Sequence, residues 1–116
     1  MALELTPEDF EALVVEQLDA LPDDMVSRLD NVVFVVEDRP DNGENLLGSY
    51  DGVALTERGT YGFGELPDRI VVYRDPLLEL CEDLEHLTEE IRITLVHEIA
   101  HYYGIDEETL HSLGWG

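Results

Sequence analysis

Two histidines and a glutamate stand at a spacing that suits metal-assisted hydrolysis. Residues 97–101 read His-Glu-Ile-Ala-His, so His97 and His101 lie four positions apart. On a helix this spacing puts both imidazoles on one face, where they can share one Zn²⁺ at about 2.0–2.1 Å. Glu98, beside the first histidine, is suited to accept a proton from a water molecule in the same cleft. The pattern therefore predicts a zinc site that hydrolyses peptide bonds, with Glu98 as the general base.

A third protein ligand is expected soon after the second histidine, because two histidines leave a tetrahedral zinc one ligand short when the last position is kept for water. In chains that read H-E-x-x-H-x-x-G-x-x-H, the third ligand stands three residues after the glycine. Gly104 puts that register on Glu107, which is our first choice. His111, one turn later, and Asp106 are the alternatives, as ligands or as residues that support the ligand. Asp106 is also well placed to cap a helix that begins at Glu107.

The motif is predicted to lie on an amphipathic helix that begins after Thr88 and ends at Gly104. Apolar residues recur every four positions and form the stripe that should be buried: Ile91, Leu95, Ile99 and Tyr103. We expect the histidines and Glu98 to lie beside this stripe, with Glu98 facing the metal-bound water and not the core. Tyr102 is the best candidate donor to the oxyanion of a reacting carbonyl, although a packing role suits it as well.

The rest of the chain alternates helical and extended patterns. A helix should begin at Pro7 behind Thr6, and the wholly apolar and β-branched run Asn31–Glu37 should be a buried strand. Further elements are predicted as strands Leu46–Tyr50 and Arg69–Arg74, a glycine-rich crossing Thr60–Gly64 and a helix Pro76–Leu84. Either of the last two strands could offer an edge on which a peptide adds by backbone pairing. At this length, residues 1–116 should form a single domain.

Charge is the second unusual feature of the sequence. The chain has 28 acidic residues and six basic ones, giving a formal net charge of −22. Such a surface disfavours nucleic acid and anionic membranes, and it either solubilises the protein or attracts cationic peptides. The single Cys81 leaves no internal disulfide and should be buried. We expect a cytoplasmic protein that is a monomer or a weak homo-oligomer, with peptides or proteins as partners.

Several segments together resemble a known family. They are Val35–Pro40, Leu46–Gly59, Leu66–Arg74 and Val96–Gly104, and the likeness extends from about Asn31 to Trp115. In these segments the chain resembles the small bacterial zincin-like metallopeptidases, also called minimal metalloproteases, which are common in actinobacteria. The combination is far more specific than the five-residue motif alone.

The resemblance implies an α+β fold of minimal zincin-like type. In that fold a small mixed sheet of about four strands packs with an N-terminal helix and with the helix that carries the motif. It also implies a zinc-dependent peptidase, and members commonly have an acidic residue where Glu107 stands, often Asp. The alternative is a zinc-binding interaction or regulatory module without efficient turnover. Glu98 argues against that alternative, because a purely structural zinc site has no use for a general base.

Overall fold

The computed structural model describes residues 3–52 and 67–115 of the chain. In order, the elements are α1 (Pro7–Asp19), α2 (Asp23–Val26), β1 (Val32–Glu37), β2 (Gly48–Asp51), β3 (Asp68–Tyr73), α3 (Arg74–Leu80), α4 (Leu84–Tyr103) and α5 (Glu107–Leu113). The predicted mixed α+β class is confirmed. The predicted glycine-rich crossing Thr60–Gly64 lies outside the described residues.

The sheet has three strands in the described ranges, in the order β1-β3-β2. Strand β1 runs parallel to β3, whereas β2 pairs with β3 in the antiparallel sense. The prediction of about four strands is therefore not confirmed, since three are found. Strand β3 is central and paired on both sides, so the prediction that Arg69–Arg74 could offer a free edge is wrong. Within the described part of the chain, β2 is an outer strand.

Strand β1 forms where the sequence predicts it, but its predicted burial is wrong. All its residues from Val32 to Glu37 are half-buried or, at Val33, exposed. A wholly apolar run suggests a strand covered on both faces, yet β1 is an outer strand whose one described partner is β3. The covered strand is β3, where Ile70, Val71 and Val72 are buried.

Helix α4 begins earlier than the sequence suggests. The Asp83 carboxylate accepts a hydrogen bond from the His86 backbone N–H at 2.8 Å, so Asp83 and not Thr88 is the N-cap. Thr88 lies inside the helix, where its hydroxyl donates to the Leu84 carbonyl at 2.8 Å. The preceding helix α3 ends at Leu80, since Cys81 has extended backbone angles. The motif therefore sits near the end of a helix of 20 residues.

One hydrophobic core holds α4 in place. The helix packs against α1, α3 and the β2 and β3 strands, and the core residues of α4 include Leu87, Ile91, Leu95 and Ile99. Helix α1, capped by Thr6 as predicted, contributes Phe10 and Val14. Cys81 is buried in the same core, and this burial raises the pKa of its thiol to about 11. Because the helix that carries the motif is anchored on several sides, its exposed face has a fixed position.

Candidate active site

The two motif histidines lie on the exposed side of α4. The side chain of His97 is 49% exposed and that of His101 is 63% exposed. They stand one turn apart, while Leu95 and Ile99 on the other side of the helix are fully buried. Both imidazoles can therefore reach a ligand from solvent without any change in the backbone.

Glu98 is buried, although the sequence predicts that it lies away from the core. Only 8% of the residue is exposed. Its buried Oε1 atom lies 3.1 Å from Nδ1 of His101, with which it forms an ion pair when the imidazole is protonated. Burial raises the pKa of Glu98, and the neighbouring His101 and His97 limit the rise. A raised pKa makes a carboxylate a stronger base than an exposed glutamate.

The burial of Glu98 comes from the strand beside it. Strand β2 packs on α4, and its first residue, Gly48, lies against Thr94 and the side chain of Glu98. Gly48 was not among the site residues predicted from the sequence. The sequence does contain a signal for it, because a glycine inside a predicted strand often marks a place where the backbone lies close to another element.

The turn after α4 brings a second carboxylate to the site. Gly104 adopts the left-handed conformation, with φ 72° and ψ 32°, and the Ile105 N–H donates to the Ala100 carbonyl at 3.1 Å. These features end the helix as predicted. The Asp106 carboxylate then accepts a hydrogen bond from the Thr109 N–H at 2.8 Å and starts α5. Glu107 is thereby the first residue of α5.

Glu107 faces the first motif histidine. Its Oε1 atom lies 3.5 Å from Nε2 of His97, and its side chain is 75% exposed. Asp106, in contrast, uses its carboxylate as the cap, and this hydrogen bond lowers its pKa. His111 is exposed in the last turn of α5. Of the three candidates for a third ligand, Glu107 is the one whose carboxylate contacts a motif histidine.

Tyr102 lies in the core and not in the cleft. It is 1% exposed, and its hydroxyl accepts a hydrogen bond from the Asp30 backbone N–H at 3.2 Å. Its ring also packs edge-to-face against Tyr50 and Tyr103. The expectation that Tyr102 donates to a reacting carbonyl is therefore wrong, because the residue is buried in the core, where its hydroxyl binds the segment before β1.

The sequence profile of the zincin-like metallopeptidases matches residues 29–115, which is three quarters of the chain. The chain belongs to this family. The matched region includes α4, α5 and the three strands found in the described residues. A comparison with curated proteins gives no match. None of the helices in the described ranges is long and apolar enough to cross a membrane.

A solved structure shares this zincin-like fold. It is a conserved hypothetical protein from Thermus thermophilus, with 27% sequence identity and a TM-score of 0.60. The alignment covers 94% of the present chain and 97% of the other. The likeness therefore extends over nearly the whole of both chains and includes the N-terminal helices that precede the family match.

The donor atoms at the zincin-like site fit zinc in their chemistry. Two imidazoles and one carboxylate are a common ligand set for catalytic zinc, and Glu98 adds a buried oxygen without a hydrogen-bond partner among the described residues. Across residues 3–52 and 67–115, however, no three such side chains are gathered as a metal cluster. The contacts are pairwise: His97 with Glu107, and His101 with Glu98. Because both histidines and Glu107 are substantially exposed, their side chains have room to rotate.

Proposed function

We propose that this protein is a zinc-dependent peptidase in which His97, His101 and Glu107 hold the metal and Glu98 is the general base. The observation that carries the proposal is the position of Glu98, a buried carboxylate directly beside two exposed histidines on one helix. A carboxylate in that position is expensive to keep buried, and within the described residues its Oε1 lies beside the motif histidine His101. A catalytic role explains why it is there.

Each residue has a separate task in the proposed reaction. Zinc, when bound, supplies a Lewis acid that polarises the scissile carbonyl and lowers the pKa of a water molecule. His97, His101 and Glu107 donate lone pairs to the metal through ring nitrogens and a carboxylate oxygen. Glu98 accepts the proton that the water loses as its oxygen attacks the carbonyl carbon. The same carboxyl group then gives that proton to the amine nitrogen as the C–N bond breaks.

Strand β2 is the proposed binding edge for the substrate backbone. It is an outer strand of the described sheet and packs directly on α4 next to Glu98. A peptide that adds to this edge by backbone pairing would pass in front of the motif histidines. The net charge of −22 supports peptides as substrates and disfavours nucleic acid and anionic membranes as partners. A cytoplasmic location and a monomeric or weakly associated state are parts of the same proposal.

A binding module without turnover is the alternative, and the openness of the site favours it. The Glu107 side chain is 75% exposed, so a metal held there would be reached easily by a ligand from a partner protein. The two functions make different demands on Glu98. A peptidase needs its proton chemistry, whereas a binding module would keep its affinity for metal and partner when Glu98 is replaced by Gln.

Metal analysis tests the shared premise of both functions. The parent chain, dialysed against Zn²⁺, should retain about one zinc per chain, and His97→Ala should lose it. His86→Ala is the matched control, because His86 lies on the same helix but pairs with Glu90, at 3.7 Å, away from the motif. Equal zinc in His97→Ala and the parent would overturn the proposal. Zinc binding without hydrolysis of any member of a broad peptide library would favour the binding module.

A further inference from the structure

The first residue of β2 meets α4 more closely than a side chain would allow. A Cβ atom built on Gly48 would lie 2.5 Å from Cγ2 of Thr94, 3.0 Å from the Val71 carbonyl oxygen and 3.4 Å from Cγ of Glu98. Non-bonded carbon atoms prefer separations of about 3.5–4.0 Å. A glycine is therefore required at position 48, because any side chain there would collide with the helix that carries the motif.

The three neighbours differ in how they could respond to a Cβ atom. Thr94 is buried on α4 one turn before Glu98, and its methyl group is the nearest obstacle. The Val71 carbonyl belongs to the central strand β3, so it cannot move without disturbing the sheet. The remaining response is for β2 to move away from α4. Such a movement would open the space beside the Glu98 side chain, which β2 now covers.

We propose that Gly48 is a positioning residue for Glu98: its lack of a side chain lets β2 lie against Thr94 and the Glu98 methylenes, and this contact fixes the carboxylate beside His101. The inference rests on the proposed function, because it assumes that Glu98 is the general base. It adds the strand as the element that holds the base in place. A displacement of about 1 Å in a reacting group is enough to lower a rate about 100-fold.

The test compares three variants of the full chain. Gly48→Ala introduces the obstructing Cβ. The double variant Gly48→Ala with Thr94→Ser removes the methyl group that the new Cβ meets and keeps the hydroxyl. Gly52→Ala is the matched control. Its Cβ would meet the Asp68 side chain at 2.5 Å, an equally close contact that lies just after β2 and is made with β3, not with α4.

Gly48→Ala should lower kcat about 10–100-fold, measured at saturating substrate and well below the melting temperature of each variant. The double variant should recover most of that loss, and Gly52→Ala should keep the parent kcat even if its melting temperature falls. A fall of kcat in Gly52→Ala equal to that in Gly48→Ala would overturn the inference, since the effect would then be general to β2. Unchanged kcat in Gly48→Ala would overturn it as well.

A second measurement needs no activity. In the chain stripped of metal, the NMR resonances of the Glu98 Cγ methylene should shift in Gly48→Ala, return toward the parent values in the double variant and stay in place in Gly52→Ala. Resonances that do not respond to Gly48→Ala would contradict the inference. If the parent hydrolyses no peptide, the proposed function fails, and this spectroscopic comparison still decides whether Gly48 positions Glu98. Where Gly48→Ala alone does not fold, the double variant is compared directly with the parent.

Discussion

The two glutamates of the site occupy opposite surroundings. Glu98 lies on α4 under strand β2 and is 8% exposed, whereas Glu107 begins α5 and its side chain is 75% exposed. Each is close to one motif histidine: Glu98 to His101 at 3.1 Å and Glu107 to His97 at 3.5 Å. The carboxylate of Glu98 is thus held in place by packing, whereas that of Glu107 can change its conformation.

The difference matches the two tasks proposed for these residues. A general base must stand at a fixed place relative to the water it deprotonates, because misplacement is costly to the rate. A metal ligand must adjust its oxygen to the metal, which an exposed side chain on a helix terminus can do. Burial also raises the pKa of Glu98, which makes its carboxylate a stronger base than an exposed glutamate. The surroundings of each carboxylate therefore indicate its role.

Two glycines produce this contrast by different means. Gly48 admits β2 to close contact with α4, and a Cβ there would clash with Thr94 at 2.5 Å. Gly104 turns the chain with a positive φ of 72°, a conformation that other residues adopt only at a cost of about 1–2 kcal/mol. The first glycine encloses Glu98, and the second sends the chain back so that Glu107 meets His97.

The largest effect is expected from Glu98→Gln. Loss of the general base should lower kcat about 10²–10⁴-fold while zinc content stays at the parent level. The melting temperature should stay the same or rise, because a neutral amide is less costly to bury than a carboxylate whose Oε1 has no hydrogen-bond partner in the described residues. Initial rates, metal analysis and thermal unfolding measure the three quantities. Hydrolysis at the parent rate would show that Glu98 is not the base.

Replacing Glu107 tests the exposed half of the comparison. Glu107→Ala should weaken zinc affinity by more than about 100-fold, because loss of a residue that only supports a ligand typically costs about 10–100-fold. The stability should change little, because the side chain is mostly exposed. Glu108→Ala, which changes the next exposed acid of α5, is the control and should keep parent affinity. Competition with a zinc chelator measures both.

His111→Ala belongs to the same series and should fall between these two variants, about 10–100-fold weaker than the parent if His111 orients Glu107. If His111→Ala abolishes zinc binding while Glu107→Ala does not, His111 is the third ligand. The choice of Glu107 would then be wrong, although the two-histidine core of the site would stand.

Sequence patterns near the motif predict its local structure well. The four-residue recurrence of Ile91, Leu95 and Ile99 correctly identifies the buried face of α4. Gly104 correctly marks the end of the helix, and Asp106 is the cap of α5. The two predictions of helix ends hold because they depend on interactions within one turn of helix, which the neighbouring residues determine. The buried face holds because an apolar stripe with the helical period has to pack against a core.

Features that depend on distant residues were not predicted. Glu98 is polar and next to a histidine, so nothing in its local pattern reveals that β2 covers it. The β-branched run of β1 does not reveal that the strand lies at the edge of the sheet, because strand order is set by packing across the whole chain. The role of Tyr102 was mispredicted for the same reason, because its hydrogen-bond partner Asp30 is 72 positions away in the chain.

The smallest effect on the site is expected from Asp106→Ala. This variant removes the cap of the helix that positions Glu107 and leaves the proposed metal ligands unchanged. The Asp106 carboxylate accepts the Thr109 N–H, and this hydrogen bond holds its pKa below the ordinary Asp range. A lowered pKa in the folded state means that the stabilisation is complete above the unfolded Asp value of about 3.9. It is lost as pH falls through the lower folded value.

Asp106→Ala should therefore be less stable than the parent at about pH 7, and the difference should shrink below about pH 4 as the parent carboxylate takes up its proton. Denaturant unfolding of metal-free protein across this range measures it, and Asp106→Asn, which keeps an acceptor for Thr109 without a titrating charge, is the control. Zinc affinity should fall far less than in Glu107→Ala, since Asp106 only starts the helix on which Glu107 stands. A loss of zinc as large as that in Glu107→Ala would show that the capped start of α5, and not the exposed carboxylate alone, creates the third ligand position.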